Sequence, residues 1–213
     1  MLNTKTTFAV LFGNRGFFPS SLQAMARKEL TTTLESLGHD VLMLAEDTTN
    51  HGAVETVQEG KLFSDFLRKN KGQYGGVILS LPNFGDELGA AEALKDVDVP
   101  VFIQAYPDEM DKLAPEYRRD SFCGKFALCD VLLQYGVKFT VLSPHVVHPR
   151  NNMFCKNIDF FDRVCNVVKG LYDMTILSVG ARTTPFKSVR TDELTLQKHR
   201  ISVEALDMSS VIS

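Results

Sequence analysis

Phe8-Ala-Val-Leu-Phe12 is an unbroken apolar run that ends in Gly13-Asn-Arg-Gly16. Such a run suits a strand buried on both faces, as strands of parallel sheets are. The glycines let the chain turn sharply. Pro19 and Ser20 then start a helix, with Gln23 three residues beyond Ser20 in capping-box spacing. A strand that feeds a helix through a tight turn opens an α/β layer structure. It also places Arg15 at the carboxyl end of that strand, where open α/β sheets bind ligands. Arg15 is therefore the leading functional candidate.

The same rhythm continues. Helical spacing of Leu22, Ala26, Leu30, Leu34 and Leu37 predicts a helix over 20–37, stopped at Gly38. Strands are expected at 40–45, 75–80, 99–104, 138–142, 174–179 and 201–206. Helices are expected at 53–70, 86–94, 122–135, 158–172 and 191–199. Phe122, Phe126, Cys129 and Leu133 fall on one side of the 122–135 helix and are expected to face inward. The stretch 106–120, with Pro107 and Pro115, reads as a long excursion of the kind that often belongs to a site. Alternation of strands and helices forces parallel pairing through right-handed crossovers. The expected fold is α/β: a Rossmann-like (flavodoxin-like) parallel sheet with helices on both faces.

A net charge of −3 over 213 residues gives no reason to expect nucleic-acid or anionic-membrane partners. No stretch approaches the roughly 18 consecutive apolar residues of a membrane span. The N-terminus runs straight into a strand without a signal-like apolar segment, so a cytoplasmic protein is expected. Cys123, Cys129, Cys155 and Cys165 form no C-x-x-C pair, and their apolar neighbours favour buried, reduced thiols.

Several residues could carry chemistry. Gly13-Asn-Arg-Gly16 is an incomplete dinucleotide fingerprint, although Glu46 and Asp47 end the second expected strand, where a ribose-binding acid would stand. Arg15 could hold hydroxyls or an anionic group through its planar fork of donors, or simply pair with a surface acid. Asn83 and Phe84 follow the third strand and Gln104 the fourth, on the same rim as Arg15. Together they could form a polar pocket with an aromatic wall, suited to a sugar; turn chemistry alone also explains Pro-Asn-x-Gly. His145 and His148 lie between prolines that exclude a helical metal face, which favours a solvated loop. His39 follows Gly38 and is expected to serve the helix terminus. Asp120-Ser121 reads as a helix cap, with Cys123 a less favoured thiolate near that terminus. Gly180-Ala-Arg182 repeats the Gly-then-Arg turn, so 174–206 echoes 7–45.

Asp120-Ser-Phe-Cys-Gly124, Cys129-Asp130, Val179-Gly-Ala-Arg-Thr-Thr-Pro-Phe-Lys-Ser-Val-Arg190 and Ile201-Ser-Val-Glu-Ala-Leu-Asp207 resemble the L-fucose/L-arabinose isomerase-like family over nearly the whole chain. The resemblance implies a Rossmann-like N-terminal domain over 1–172. Residues 173–213 would start a second α/β domain with its first β-α-β, in a polypeptide about twice this long. It implies aldose–ketose interconversion through an enediol with a divalent metal, usually Mn2+, whose ligands lie beyond this chain. It further implies a homo-oligomer, trimer or hexamer, in which Arg15, Asn83 and Phe84 reach a partner's sugar pocket. The expectation is thus an N-terminal fragment of a sugar ketol-isomerase that lines substrate and interface and is inactive alone. A sugar- or nucleotide-binding α/β module complete at this length is the alternative. A flavodoxin-like carrier is disfavoured, because the first turn is not a Ser/Thr-rich phosphate cradle.

Overall fold

The computed structural model describes residues 5–212. It divides into two compact units, one reaching to Asn166 and the other starting at Val167.

In the first unit the apolar runs become parallel strands: β1 (Phe8–Gly13), β2 (Val41–Leu42), β3 (Ala53–Val54), β4 (Gly76–Leu81) and β5 (Val101–Ala105). β1 is the hinge of the sheet. It pairs with β4 along Phe8 to Phe12, while β2 and β3 share its other edge, at Phe8–Ala9 and Phe12–Gly13. β5 lies outside β4, and Thr140 adds a bridge to Phe102. The spatial order is therefore β2/β3–β1–β4–β5, with Thr140 outermost. The chain leaves β1 first to one side and then to the other, which makes the β1/β4 gap the topological switch point.

Alternation along the strands divides two cores. Phe8, Val10, Phe12, Ile78 and Phe102 face α1 (Ser21–Ser36) and α5 (Asn152–Leu171), through Ala26, Leu30, Leu34, Phe154, Ile158 and Phe161. Ala9, Leu11, Val77 and Leu79 face α2 (Val57–Lys69), α3 (Glu87–Leu94) and α4 (Ser121–Gln134), through Phe63, Leu67, Ala90, Leu94, Leu128 and Leu132. A sheet covered on both faces needs strands that are apolar at nearly every position, and β1, β4 and β5 are buried throughout, with the polar pair Ser80 and Gln104 bonded to each other. Truncating a residue such as Leu30 or Leu79 in these layers removes about 2–5 kcal/mol of packing.

Several expectations give way to physical competitors. The second strand is split: the chain leaves β1 after Leu42, detours through 43–52, and returns as β3. Buried Arg27 holds the detour by donating to the carbonyl oxygens of Leu44 and His51. The helix expected from 53 starts at Val57, because Thr56 accepts the Glu59 amide at 3.2 Å and Glu59 accepts the Glu55 amide at 2.7 Å. The strand expected at 138–142 is reduced to the Thr140 bridge. The Ser20/Gln23 box is not made. Ser20 has no side-chain cap bond, and Gln23 turns inward to the first turn. Asp120 precedes α4 at φ 49° without capping it, and pairs with Arg118 at 3.2 Å. His39 serves the end of α1 through its backbone amide, which donates to the Leu34 carbonyl oxygen at 3.0 Å, while its side chain is buried on Phe8 with Nδ1 2.8 Å from the Thr6 carbonyl and ties down the entry to β1.

α4 is turned the other way from its expected orientation. Ser121, Gly124, Lys125, Leu128 and Leu132 are buried, while Phe122, Phe126 and Leu133 are exposed. The four thiols are free, but only Cys165 is buried and Cys123 is exposed.

Lys125 has its ammonium 2.8 Å from the His145 carbonyl oxygen. Burial pushes its pKa down to about 8 from 10.5, against a smaller opposing effect of Cys129. Between those two pH values the unfolded chain holds a proton that the folded chain has released, so stability rises with pH across that window. Below pH 8 the full cost of burying the charge is present. Lys125→Met is expected to stabilise the protein by about 2 kcal/mol at pH 7, after the lost hydrogen bond is offset. The gain should fade towards pH 10.5, as urea unfolding at the two pH values would measure. A variant clearly less stable than the parent at pH 7 would contradict this.

The second unit contains β6 (Thr175–Val179), α6 (Glu193–Lys198), β7 (Ser202–Leu206) and α7 (Ser209–Ile212). β6 and β7 pair in parallel from Thr175↔Ser202 to Val179↔Leu206, a β-α-β unit. β6 is exposed along its length. Arg182 donates to the carbonyl oxygens of Phe186 and Lys187, and Arg190 to that of Lys187, so these arginines hold their own loop.

Candidate functional site

The rim at the switch point is built from the turns that leave β1 and β4. Asn14 is the first residue past β1. Its amide nitrogen bonds the Val54 carbonyl oxygen at 3.0 Å, which continues the ladder to β3, and its side chain is fully buried. The Asn14 Oδ1 accepts from Gln23 Nε2 at 2.8 Å and from Asn83 Nδ2. Its Nδ2 donates to Glu55 Oε1. One amide thus joins the β1 turn to α1, to the β4 turn and to the residue that follows β3.

Asn83 completes the link. Its Oδ1 accepts the backbone amides of Arg15 at 3.3 Å and Gly85 at 3.1 Å. Its Oδ1 and Nδ2 both bond to the neighbouring turns and it is fully buried, so in this arrangement it positions other residues. Gly85 sits at φ 78°, which the turn needs to bring its carbonyl towards Arg15.

Arg15 lies across this turn. Its Nε donates to the Gly85 carbonyl oxygen at 2.9 Å, Nη2 stands 3.2 Å from Glu87 Oε1, and the guanidinium carbon is 4.5 Å from the centre of the Phe84 ring. Glu87 is in the first turn of α3, which Asp86 caps by accepting the Gly89 amide at 2.7 Å. Nη1 has no acceptor among the described residues, and the Arg15 side chain keeps 29% of its exposure. The guanidinium is therefore held over an aromatic face with donors left for a ligand. Phe84 stacks at 6.4 Å on Phe18, which touches exposed Phe17 at 4.7 Å.

The long 106–120 excursion braces the same turn. Arg119, buried, donates from Nη1 to the Pro82 carbonyl oxygen at 3.0 Å and lies 5.0 Å from the centre of the Tyr106 ring. Asp108 Oδ1 accepts the amides of Arg119 at 2.8 Å and Asp120 at 3.2 Å.

The other sequence candidates lie elsewhere. Gln104 is buried, with Oε1 accepting from Ser80 Oγ at 2.6 Å and Nε2 donating to the Val147 carbonyl oxygen at 2.8 Å, so its amide is spent inside the sheet. Glu46 pairs with Arg27 at 3.3 Å, because the strand it was expected to end stops at Leu42. The acid at the end of the re-formed strand is Glu55. His148 Nε2 stands 3.2 Å from Glu29 Oε2 while its Nδ1 accepts the Arg150 amide at 3.2 Å, and His145 is exposed. Among the described residues no three His, Cys, Asp or Glu side chains gather into a metal-binding group.

Sequence reasoning missed Asn14, Gln23 and Glu55 as a connected set. The one local signal was Thr56-x-x-Glu59, a helix-start pattern that leaves Ala53–Val54 free as strand.

The fold is a doubly wound, Rossmann-like parallel α/β domain with a polar, Arg-bearing rim at its switch point. The sequence model of the fucose/sulfoquinovose isomerase N-terminal domain matches residues 9–172, and the chain belongs to that family. No curated protein matches the chain. Among the described residues no helix is long and apolar enough to cross a membrane.

Proposed function

We propose that this chain is the N-terminal part of a cytoplasmic sugar ketol-isomerase and that it lines the substrate pocket without carrying the metal. The observation that carries the reading is Arg15, clamped over Phe84 at the switch point of a domain of this family. An aldose–ketose interconversion moves a proton between adjacent carbons, which needs a base and an electrophile at the enediol. A divalent metal, manganese by the family resemblance, supplies the electrophile from the rest of the enzyme. Arg15 holds sugar hydroxyls through its open donors, and the half-buried Phe84 offers an apolar edge to the C–H side of the sugar.

The pocket is completed by another subunit of a trimer or hexamer. Support for an interface comes from α4, where Phe122, Phe126 and Leu133 are 55%, 77% and 66% exposed on one side of the helix. Nucleic acid and membrane are not partners in this reading.

The chain alone, supplied with MnCl2 and L-fucose or D-arabinose, is expected to give no turnover above background in a ketose assay. Enzyme-like turnover by these 213 residues would refute the division of labour.

A further inference from the structure

We propose that Glu55 is the hydroxyl-recognising acid of this rim, accepting a hydrogen bond from a polyol ligand through Oε2. The inference rests on the sugar-lining reading and adds a specificity residue to it. Glu55 follows Val54, whose partner across the ladder is Gly13. It therefore stands at the carboxyl end of the second strand position, beside the first turn. Doubly wound folds use an acid at that position to accept ribose hydroxyls.

The carboxylate is held on one side only. Oε1 accepts from Asn14 Nδ2 and, at 2.7 Å, from Asn50 Nδ2, while the Glu55 amide is fixed by Glu59 Oε2 at 2.7 Å. Two side-chain amides and a backbone anchor set the plane of the group. Oε2 receives no hydrogen bond from the described residues. It lies against Gly16, where a Cβ would stand 3.5 Å from it, and Gly16 is exposed. Gln23 Oε1, on the amide that bonds Asn14, is a second acceptor without a donor, and it is buried. The β3 side of the turn thus offers an oriented acceptor, and the β4 side offers the donors of Arg15. A sugar hydroxyl, donor and acceptor at once, satisfies both kinds of group. An anionic ligand would be repelled at Glu55, so the pair selects a neutral polyol at this end.

Glu55→Gln separates recognition from folding, since the amide oxygen can still accept from Asn14 and Asn50. The full chain would be titrated with L-fucose and with an analogue lacking one ring hydroxyl, following the backbone amide of Gly16 and the side-chain amide of Asn50 by NMR. Glu55→Gln is expected to weaken L-fucose binding about tenfold to a hundredfold and to shrink the discrimination against one deoxy analogue. Asn50→Ala, which loosens the carboxylate, should weaken binding less. Equal L-fucose affinity in the parent and Glu55→Gln, with Arg15→Ala weakened, would overturn this inference alone. An L-fucose affinity of the assembled enzyme that carries this domain unchanged by both Glu55→Gln and Arg15→Ala would overturn it together with the reading on which it rests.

Discussion

Gly124→Ala is expected to cost at least about 3 kcal/mol of folding stability, and larger side chains should prevent folding. A Cβ at Gly124 would lie 1.9 Å from the Phe84 carbonyl oxygen and 2.5 Å from its carbonyl carbon. Both obstacles are backbone atoms, so no side-chain rotation relieves the clash; either the first turn of α4 or the Pro82–Gly85 turn has to move. Neither is loose. Leu128 and Leu132 bury α4 in the sheet, and Arg119, Asn83 and Asn14 hold the turn. With total stabilities of about 5–15 kcal/mol, a loss of this size is a large fraction of the whole. Because Phe84 carries the Arg15 guanidinium, the substitution should also disturb the rim. Urea unfolding followed by far-UV circular dichroism measures the loss. Gly170→Ala is the matched control: a Cβ there meets nothing within 4 Å, and the change should be neutral or stabilising by up to about 1 kcal/mol. A Gly124→Ala protein as stable as its parent would show that α4 does not lie against the turn as described.

The parts of the fold carried by local pattern were legible. β1, β4 and β5 stand out as apolar runs, because a strand covered on both faces cannot alternate. The rim followed from strand order alone, since parallel strands deliver all their carboxyl ends to one side. Where two local patterns competed, the sequence could not choose. Val41 to Ala45 is apolar enough for one longer strand, yet buried Arg27 draws its second half off β1 by donating to the Leu44 carbonyl oxygen, and pairing with β1 resumes at Ala53, inside the expected helix. α4 is apolar around much of its circumference, and the choice of face fell to fit: Gly124 admits the Phe84 backbone, which the phenylalanine side of the helix could not do.

The site divides in the same way. Arg15, Asn83 and Phe84 sit in turns that the sequence punctuates clearly. The network that orients them was not legible, because its bonds join Asn14 to Asn83 across 69 residues and to Glu55 across 41. Only the β1/β4 and β1/β3 registers bring those side chains together.

Arg15→Ala tests the central claim, that this rim is part of a sugar pocket. In the parent, Nε and Nη2 are anchored by Gly85 and Glu87 while Nη1 has no acceptor among the described residues, so a ligand finds an oriented donor without the cost of ordering it. Removing it deletes charge-assisted hydrogen bonds of about 1.5–3 kcal/mol each. The effect on stability should stay within about 1 kcal/mol, since the ion pair with Glu87 is partly solvated. The decisive measurement is kcat/KM for L-fucose in the assembled enzyme that carries this domain, with parent and Arg15→Ala compared at equal metal content. The account predicts a fall of about a hundredfold with the melting temperature nearly unchanged. Unchanged kcat/KM in a folded, metal-loaded variant would contradict it.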